Sequence, residues 1–211
     1  MADTLGAAWA LDWIKRAAEV ATAKREELTD LDRAIGDGDH GSNLDRGFKA
    51  VLAKLEGVEA TTAEDILKPT AMTLISTVGG ASGALYGTAF LRASKAGAQD
   101  LDGAGVVALM QAALDGILQR GKAEVGEKTM VDAWTPAIAA GNEAATAGKS
   151  PAEVLDAMAT AAQAGAETTD PLVARKGRAS YLGERSADHR DPGAQSTAYL
   201  LRAAADAAAA V

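Results

Sequence analysis

Asp32, Asp37 and Asp39 stand at a D-x4-D-x-D spacing, and His40 follows at once. Gly36, Gly38 and Gly41 interrupt the run, so the chain is expected to leave the helix and turn tightly here. A tight turn draws the three carboxylates together. Two carboxylates about 4 Å apart repel by roughly 4 kcal/mol at an intermediate dielectric. Such a cluster takes up protons, splays into water or holds a cation. Its ligands are all oxygen, which favours Mg²⁺, Mn²⁺ or Ca²⁺ over zinc. A solvated acidic loop is the competing reading, because Asp-Gly steps are ordinary turn chemistry. An EF-hand does not fit: counted from Asp37, its glycine position is Ser42 and its closing Glu position is Phe48.

Three further stretches carry residues able to do chemistry. Gly80-Ala81-Ser82-Gly83 leads into a helix, whose free N–H groups and dipole favour phosphate. A plain interhelical turn capped by Ser82 is the other reading. Lys176, Arg178 and Arg185 supply cations for a diphosphate, or else form a solvated basic loop. Asp191-Pro192-Gly193 reads as a turn and helix start, or as a carboxylate placed to accept ribose hydroxyls. The only two histidines, His40 and His189, fall within these stretches. Aspartates and phosphates share a site only when cations lie between them, so metal-bridged nucleotide binding would unite features that are separately weak. Neither a G-x-x-x-x-G-K-[ST] loop nor the protein-kinase motif set is present.

These stretches must be positioned by helices. Leu5, Trp9, Trp13 and Ala17 recur at four-residue steps and predict a first helix over about 4–28, with both tryptophans in the core. Leu44, Phe48, Val51, Leu52 and Leu55 mark a second. A third is capped by Thr61 or Thr62 and carries Ile66, Leu67, Met72 and Ile75, with Pro69 kinking or restarting it. A fourth spans about 84–95. A fifth runs from Asp102 with Val106, Val107, Met110, Leu114, Ile117 and Leu118 on its buried side. A sixth opens near Thr129. Ser150-Pro151-Ala152-Glu153 is a capping box with proline at the first helical position, opening a seventh that reaches about Val173. An alanine-rich eighth starts near Gly193, and its tract at 203–210 reads as ordinary C-terminal helix, with a frayed end as the other reading.

Eight helices and no period-2 strand predict an all-α domain over residues 1–211. In an up-and-down bundle alternate loops share an end. The aspartate loop and those near 79–83, 121–128 and 176–193 are the alternate ones, and they are also the loops rich in glycine and charge.

Composition narrows the function classes. The 211 residues suffice for a sizeable core, with 48% hydrophobic content inflated by alanine and only 4% aromatic. A net charge of −8 argues against nucleic acid and anionic membrane as partners. The absence of cysteine excludes thiolate zinc sites and suits the cytoplasm. The start Met1-Ala2-Asp3-Thr4 lacks the basic residues of a secretory signal, and no apolar run approaches the ~18–20 residues that span a bilayer.

Taken together, Leu31–Gly41, Gly79–Gly83, Gly121–Glu124, Gly126–Met130, Gly177–Ser186 and Asp191–Ala194 resemble the nucleotide-binding L subunit of dihydroxyacetone kinase, in order and over essentially the whole chain. The resemblance implies an eight-helix antiparallel barrel with the nucleotide at one end. It implies that Asp32, Asp37 and Asp39 hold two Mg²⁺ bridging to the phosphates of ADP or ATP. His40, Gly41, Ser42 and Asn43 would line the phosphate side, and Ala81 and Ser82 would donate to phosphate oxygens. Gly121 and Met130 would border the adenine, Arg178 would pair with phosphate, and Asp191, Pro192 and Gly193 would close over the nucleotide. The family transfers a phosphoryl group to dihydroxyacetone held on a separate K subunit. In one branch a phosphotransferase-system M subunit rephosphorylates ADP that never leaves; in the other, ADP exchanges for fresh ATP. A subunit for another short keto-sugar, a fatty-acid kinase part, and a regulatory module docked on a transcription regulator are the alternatives.

Overall fold

Trp9 and Trp13 point inward from α1 (Ala7–Ala23), and their indole N–H groups donate to Ala204 O at 3.0 Å and Leu200 O at 2.9 Å. Both acceptors lie on the last helix, α9 (Pro192–Ala209), so the two chain ends are held side by side. Between them run α2 (Arg25–Ile35), α3 (His40–Leu55), α4 (Ala63–Thr77), α5 (Gly80–Ala96), α6 (Gly103–Gly121), α7 (Val131–Thr146) and α8 (Pro151–Glu167), with a 3₁₀ segment at Arg178–Ser186. This computed structural model describes residues 4–211; the acidic Met1–Asp3 lies outside them. Among the described residues there is no strand, only an isolated bridge between Leu5 and Leu101.

From α3 to α9 each helix packs on the next, and α1 packs on α9, α3 and α4. Eight helices thereby close a ring around a shared apolar core, with α2 laid against α3 and α9. Through the middle of it Trp9 stacks on Trp13, Phe90 lies tilted against Trp13, and Phe48 meets Phe90 edge-on. Alanine lets the backbones approach closely.

The all-α expectation holds, and several boundaries move. The expected first helix is two, because Lys24 (φ −101°, ψ 10°) breaks it and α2 then runs on to Ile35. Asp32 is therefore helical, and the turn shrinks to Gly36–Asp39. The glycine-rich stretch before the fourth expected helix is itself helical from Gly80, so Ser82 is inside the first turn of α5 and does not cap it. Pro69 sits within α4, which continues past it because its buried face extends on both sides. Met72 and Ile75 lie off that face and are 56% and 46% exposed, and Leu118 is also exposed. Helix α8 stops at Glu167 rather than near Val173. The alanine tract of α9 is core, not frayed: Ala203, Ala204, Ala205, Ala207 and Ala208 are buried.

Candidate functional site

The turn between α2 and α3 is organised by one carboxylate. Asp32 is buried on the last turn of α2, and its Oδ2 accepts the Asp39 N–H at 2.8 Å and the His40 N–H at 3.1 Å. These are N–H groups at the start of α3, which Asp39 itself does not cap. Gly36 is required by space, since a Cβ there would meet Asp32 Oδ1 at 2.2 Å. Gly38 takes the left-handed φ of +72° that reverses the chain. As a result one oxygen from each of Asp32, Asp37 and Asp39 lies within 4.8 Å of the others, with Asp37 and Asp39 open to solvent. That is an all-oxygen donor set of the kind hard divalent cations take.

Charge on the opposite side comes from the 3₁₀ segment. Arg178 Nη2 approaches Asp37 Oδ2 at 3.0 Å. The segment is seated by a small cluster in which Ala174, Ala179 and Leu182 pack on Ile35 of α2. Arg185 is exposed, and His189 is exposed as well.

His40 is buried behind the aspartates. Its Nε2 lies 2.9 Å from Ser196 Oγ, which lies 2.6 Å from the Tyr86 hydroxyl. Burial lowers the imidazole pKa, against the pull of Asp32 and Asp39, so the ring is neutral near pH 7. Burial likewise pushes the Tyr86 phenol up to about 12. Asp191 caps α9 by accepting the Ala194 N–H at 2.7 Å. Enclosure pushes its carboxyl up to about 7; the cap bond and Lys128 oppose this, while Asp132 and Asp32 add to it.

These groups line a cleft with about 180 Å³ of interior space. One wall is Asp32, Gly36, Asp37, Asp39 and His40; a second is Gly80, Ala81, Ser82 and Leu85; a third is Lys128, Thr129 and Met130; the rim is Lys176–Ala179 and Asp191–Gly193. It adjoins a second cavity of about 440 Å³, which shares Gly80, Ala81, Leu85, Thr129, Met130, Lys176 and Gly177 and adds Ile117, Gly121 and Ala123. The four expected loops therefore do meet at one end.

Three of the expected site residues do not line either cavity. Gly41 faces α2, where a Cβ would meet Arg25 O at 2.0 Å, so it is a helix-contact glycine. Ser42 is exposed. Asn43 accepts from Arg46 Nη2 at 2.6 Å through Oδ1, while its buried Nδ2 has no partner and sits near the start of α5. Two lining residues were not singled out from sequence. Lys128 reads as a surface charge, and Thr129 as the opening of a helix; only their place in the Gly126–Met130 motif hinted at more.

Comparison with known proteins agrees with this geometry. The DAK2 domain family matches residues 34–206. The ADP-binding subunit DhaL of the PEP-dependent dihydroxyacetone kinase of Escherichia coli (strain K12) is 43% identical over 200 residues, 94% of this chain and 95% of the relative. The ADP-binding subunit DhaL of the PTS-dependent enzyme of Lactococcus lactis is 44% identical over 191 residues, 90% of this chain and 92% of the relative. Among solved structures, the native dihydroxyacetone kinase of C. freundii superposes with a TM-score of 0.72 at 27% identity, covering 95% of this chain and 34% of that one. The same enzyme with AMP-PNP and Mg²⁺ gives a TM-score of 0.66 at 27% identity, covering 96% of this chain and again 34% of that one. A domain match over most of the residues and relatives above 40% identity from end to end leave one assignment: the chain belongs to the DAK2 domain family, alongside its DhaL subunits.

Proposed function

We propose that this chain is the nucleotide-carrying subunit of a dihydroxyacetone kinase. The observation that carries the reading is the meeting, in one cleft, of an all-oxygen aspartate triad with the uncapped start of α5. The triad suits two Mg²⁺ and the helix start suits phosphate oxygens, and neither would tolerate the other without cations between them. The unpartnered Asn43 amide near Gly80 fits the same anion. Asp32, Asp37 and Asp39 would hold the divalent ions, which would supply positive charge against the phosphates during phosphoryl transfer.

The chain's own groups bind and orient. Asp32 ties the turn to α3 and so fixes the direction of Asp37 and Asp39. Ala81 and Ser82 present main-chain N–H groups to phosphate. Gly121 and Met130, with the apolar side of the adjoining cavity, hold adenine. Asp191, Pro192 and Gly193 close the cleft beside it, and Arg178 stands at its mouth, within reach of a phosphate or of Asp37. His40, neutral and buried, packs the floor. No protein nucleophile is needed for phosphoryl transfer held this way.

The acceptor, dihydroxyacetone, would be presented by a separate K subunit at that mouth. The relatives named above are subunits of PEP- and PTS-dependent kinases, which supports a phosphotransferase-system M subunit as the donor that recharges bound ADP. The test is the nucleotide content of the purified protein after long dialysis with Mg²⁺, read by acid release and chromatography. Near-stoichiometric ADP is expected. Empty protein that rebinds ATP with Mg²⁺ would move it to the exchanging branch. Failure to bind either nucleotide would overturn the reading.

A further inference from the structure

Lys128 is a lysine where chemistry does not favour one. Its φ is +63°, in the left-handed region that side chains other than glycine rarely adopt, and only 1% of its surface is exposed. Its ammonium is fully occupied: Nζ donates to Thr169 O at 2.5 Å, to Asp170 O at 3.3 Å and to His189 O. A lysine ammonium has three protons, and three carbonyls take them. None remains for a phosphate.

Those carbonyls belong to two separate stretches, and other bonds tie the same stretches together. The Asp191 N–H donates to Thr169 Oγ1 at 3.0 Å. Arg190 grips both oxygens of Asp170 at 2.9 and 2.8 Å. The Arg175 N–H donates to Glu127 O at 3.1 Å. On the lysine's own side, Asp132 accepts the Gly126 N–H at 2.5 Å and the Thr129 N–H at 2.8 Å. Lys128 is thus the point where three stretches cross: residues 126–130, residues 169–175 and residues 188–193. The first and third supply adjoining parts of the cleft wall, Thr129–Met130 and Asp191–Gly193, with Gly193 set against the Met130 side chain. The second leads directly into Lys176–Arg178 at the rim. Burial lowers the lysine's pKa, but Asp191, Asp170, Asp188 and Asp132 all favour its charged form.

We infer that Lys128 is a positioning residue whose caged ammonium holds the Thr129–Met130 and Asp191–Gly193 segments together, and so sets the shape of the joint wall against which a nucleoside diphosphate fits. This rests on the nucleotide reading above. The test is ADP–Mg²⁺ titration by calorimetry of the wild type, Lys128→Met and Lys128→Ala, at a temperature where circular dichroism shows them folded. Lys128→Met leaves the Asp170 and His189 carbonyls without a donor and Thr169 O with only the Leu172 N–H at 3.2 Å, and about a tenfold or greater loss of ADP affinity is expected. Propylammonium, which replaces the missing part of the side chain, should restore affinity to Lys128→Ala; tetramethylammonium, which has no N–H, should not. A purely structural lysine would lower the unfolding temperature without that rescue. Affinity of Lys128→Met within about twofold of the wild type, or a loss in Lys128→Ala that propylammonium does not relieve, overturns the role. If the variants do not fold, hydrogen exchange of the wild type decides. ADP should slow exchange at 169–173 and 188–191 together with 128–130, and slowing confined to 128–130 overturns the inference. A wild type that binds no ADP overturns the nucleotide reading itself, and this inference with it.

Discussion

At one end of the helix ring Thr62, Asp102 and Ser150 cap α4, α6 and α8 with their side chains, and two of the three do so reciprocally through Asp65 and Glu153. At the other end α3 follows Asp39, α5 follows Gly79 and α7 follows Met130, none of which caps its helix with a side chain; only Asp191 does. Each helix start leaves N–H groups that must find an acceptor. The first end satisfies them locally at these three starts; α1, which begins there after Gly6 beside the Leu5–Leu101 bridge, has no side-chain cap. The second borrows acceptors, as Asp32 does for α3, or leaves donors facing the cleft. The difference separates an end made for stability from an end made for ligands, although both are built from the same kind of helix.

The largest effect that tests this contrast comes from the triad. Asp37→Asn combined with Asp39→Asn removes two charges from exposed turn positions. Mg²⁺-dependent ADP binding by calorimetry is expected to vanish, while helical content by circular dichroism is unchanged. Unaltered ADP affinity would sink the metal bridge.

A smaller, opposite effect is expected at the capped end. Ser150→Ala removes the side chain that accepts the Glu153 N–H. Loss of such a cap costs about 1 kcal/mol, read by urea denaturation. ADP affinity should not change. A change in affinity would show that the two ends are not separable.

The third effect is read as a slope. Asp191 titrates near 7 in the folded chain against an ordinary 3.8, because it is enclosed. The folded state therefore keeps a proton that the unfolded state has released. Stability from this group is full below the lower value and falls as pH rises between the two. Asp191→Asn keeps the cap, since asparagine caps as well as aspartate. In the absence of Mg²⁺ and nucleotide, unfolding free energies of the variant should decline less over that range than those of the wild type. Parallel profiles would show that the Asp191 carboxylate is not strained.

Much of the site was legible because its chemistry is local. The triad, its glycines and His40 fall within ten residues, so spacing alone suggested that the carboxylates converge. The sharing of one end by four loops followed from counting helices, and it survived a miscount. Splitting the first helix at Lys24 adds one, but α2 lies against the ring and does not alter which loops share an end. What was misread depends on neighbours. Met72 and Ile75 are apolar at plausible spacing, yet Met72 is left exposed and Ile75 is only partly covered, by α5 at Gly87. Gly41 sits beside the metal motif, and its place is taken up by the contact with α2.

The sequence by itself determined an all-α chain, a core pinned by two tryptophans, and a turn whose carboxylates require a cation or water. Periodicity and short-range spacing are enough for these, because helix faces and tight turns are set by residues a few positions apart. Only the tertiary structure decided that α9 is buried almost all round, that Arg178 reaches Asp37, and that Lys128 is caged by carbonyls from residues 169, 170 and 189. Those contacts join residues that lie far apart along the chain. Whether a charge is solvated or enclosed depends on what folds over it, and that is decided by packing.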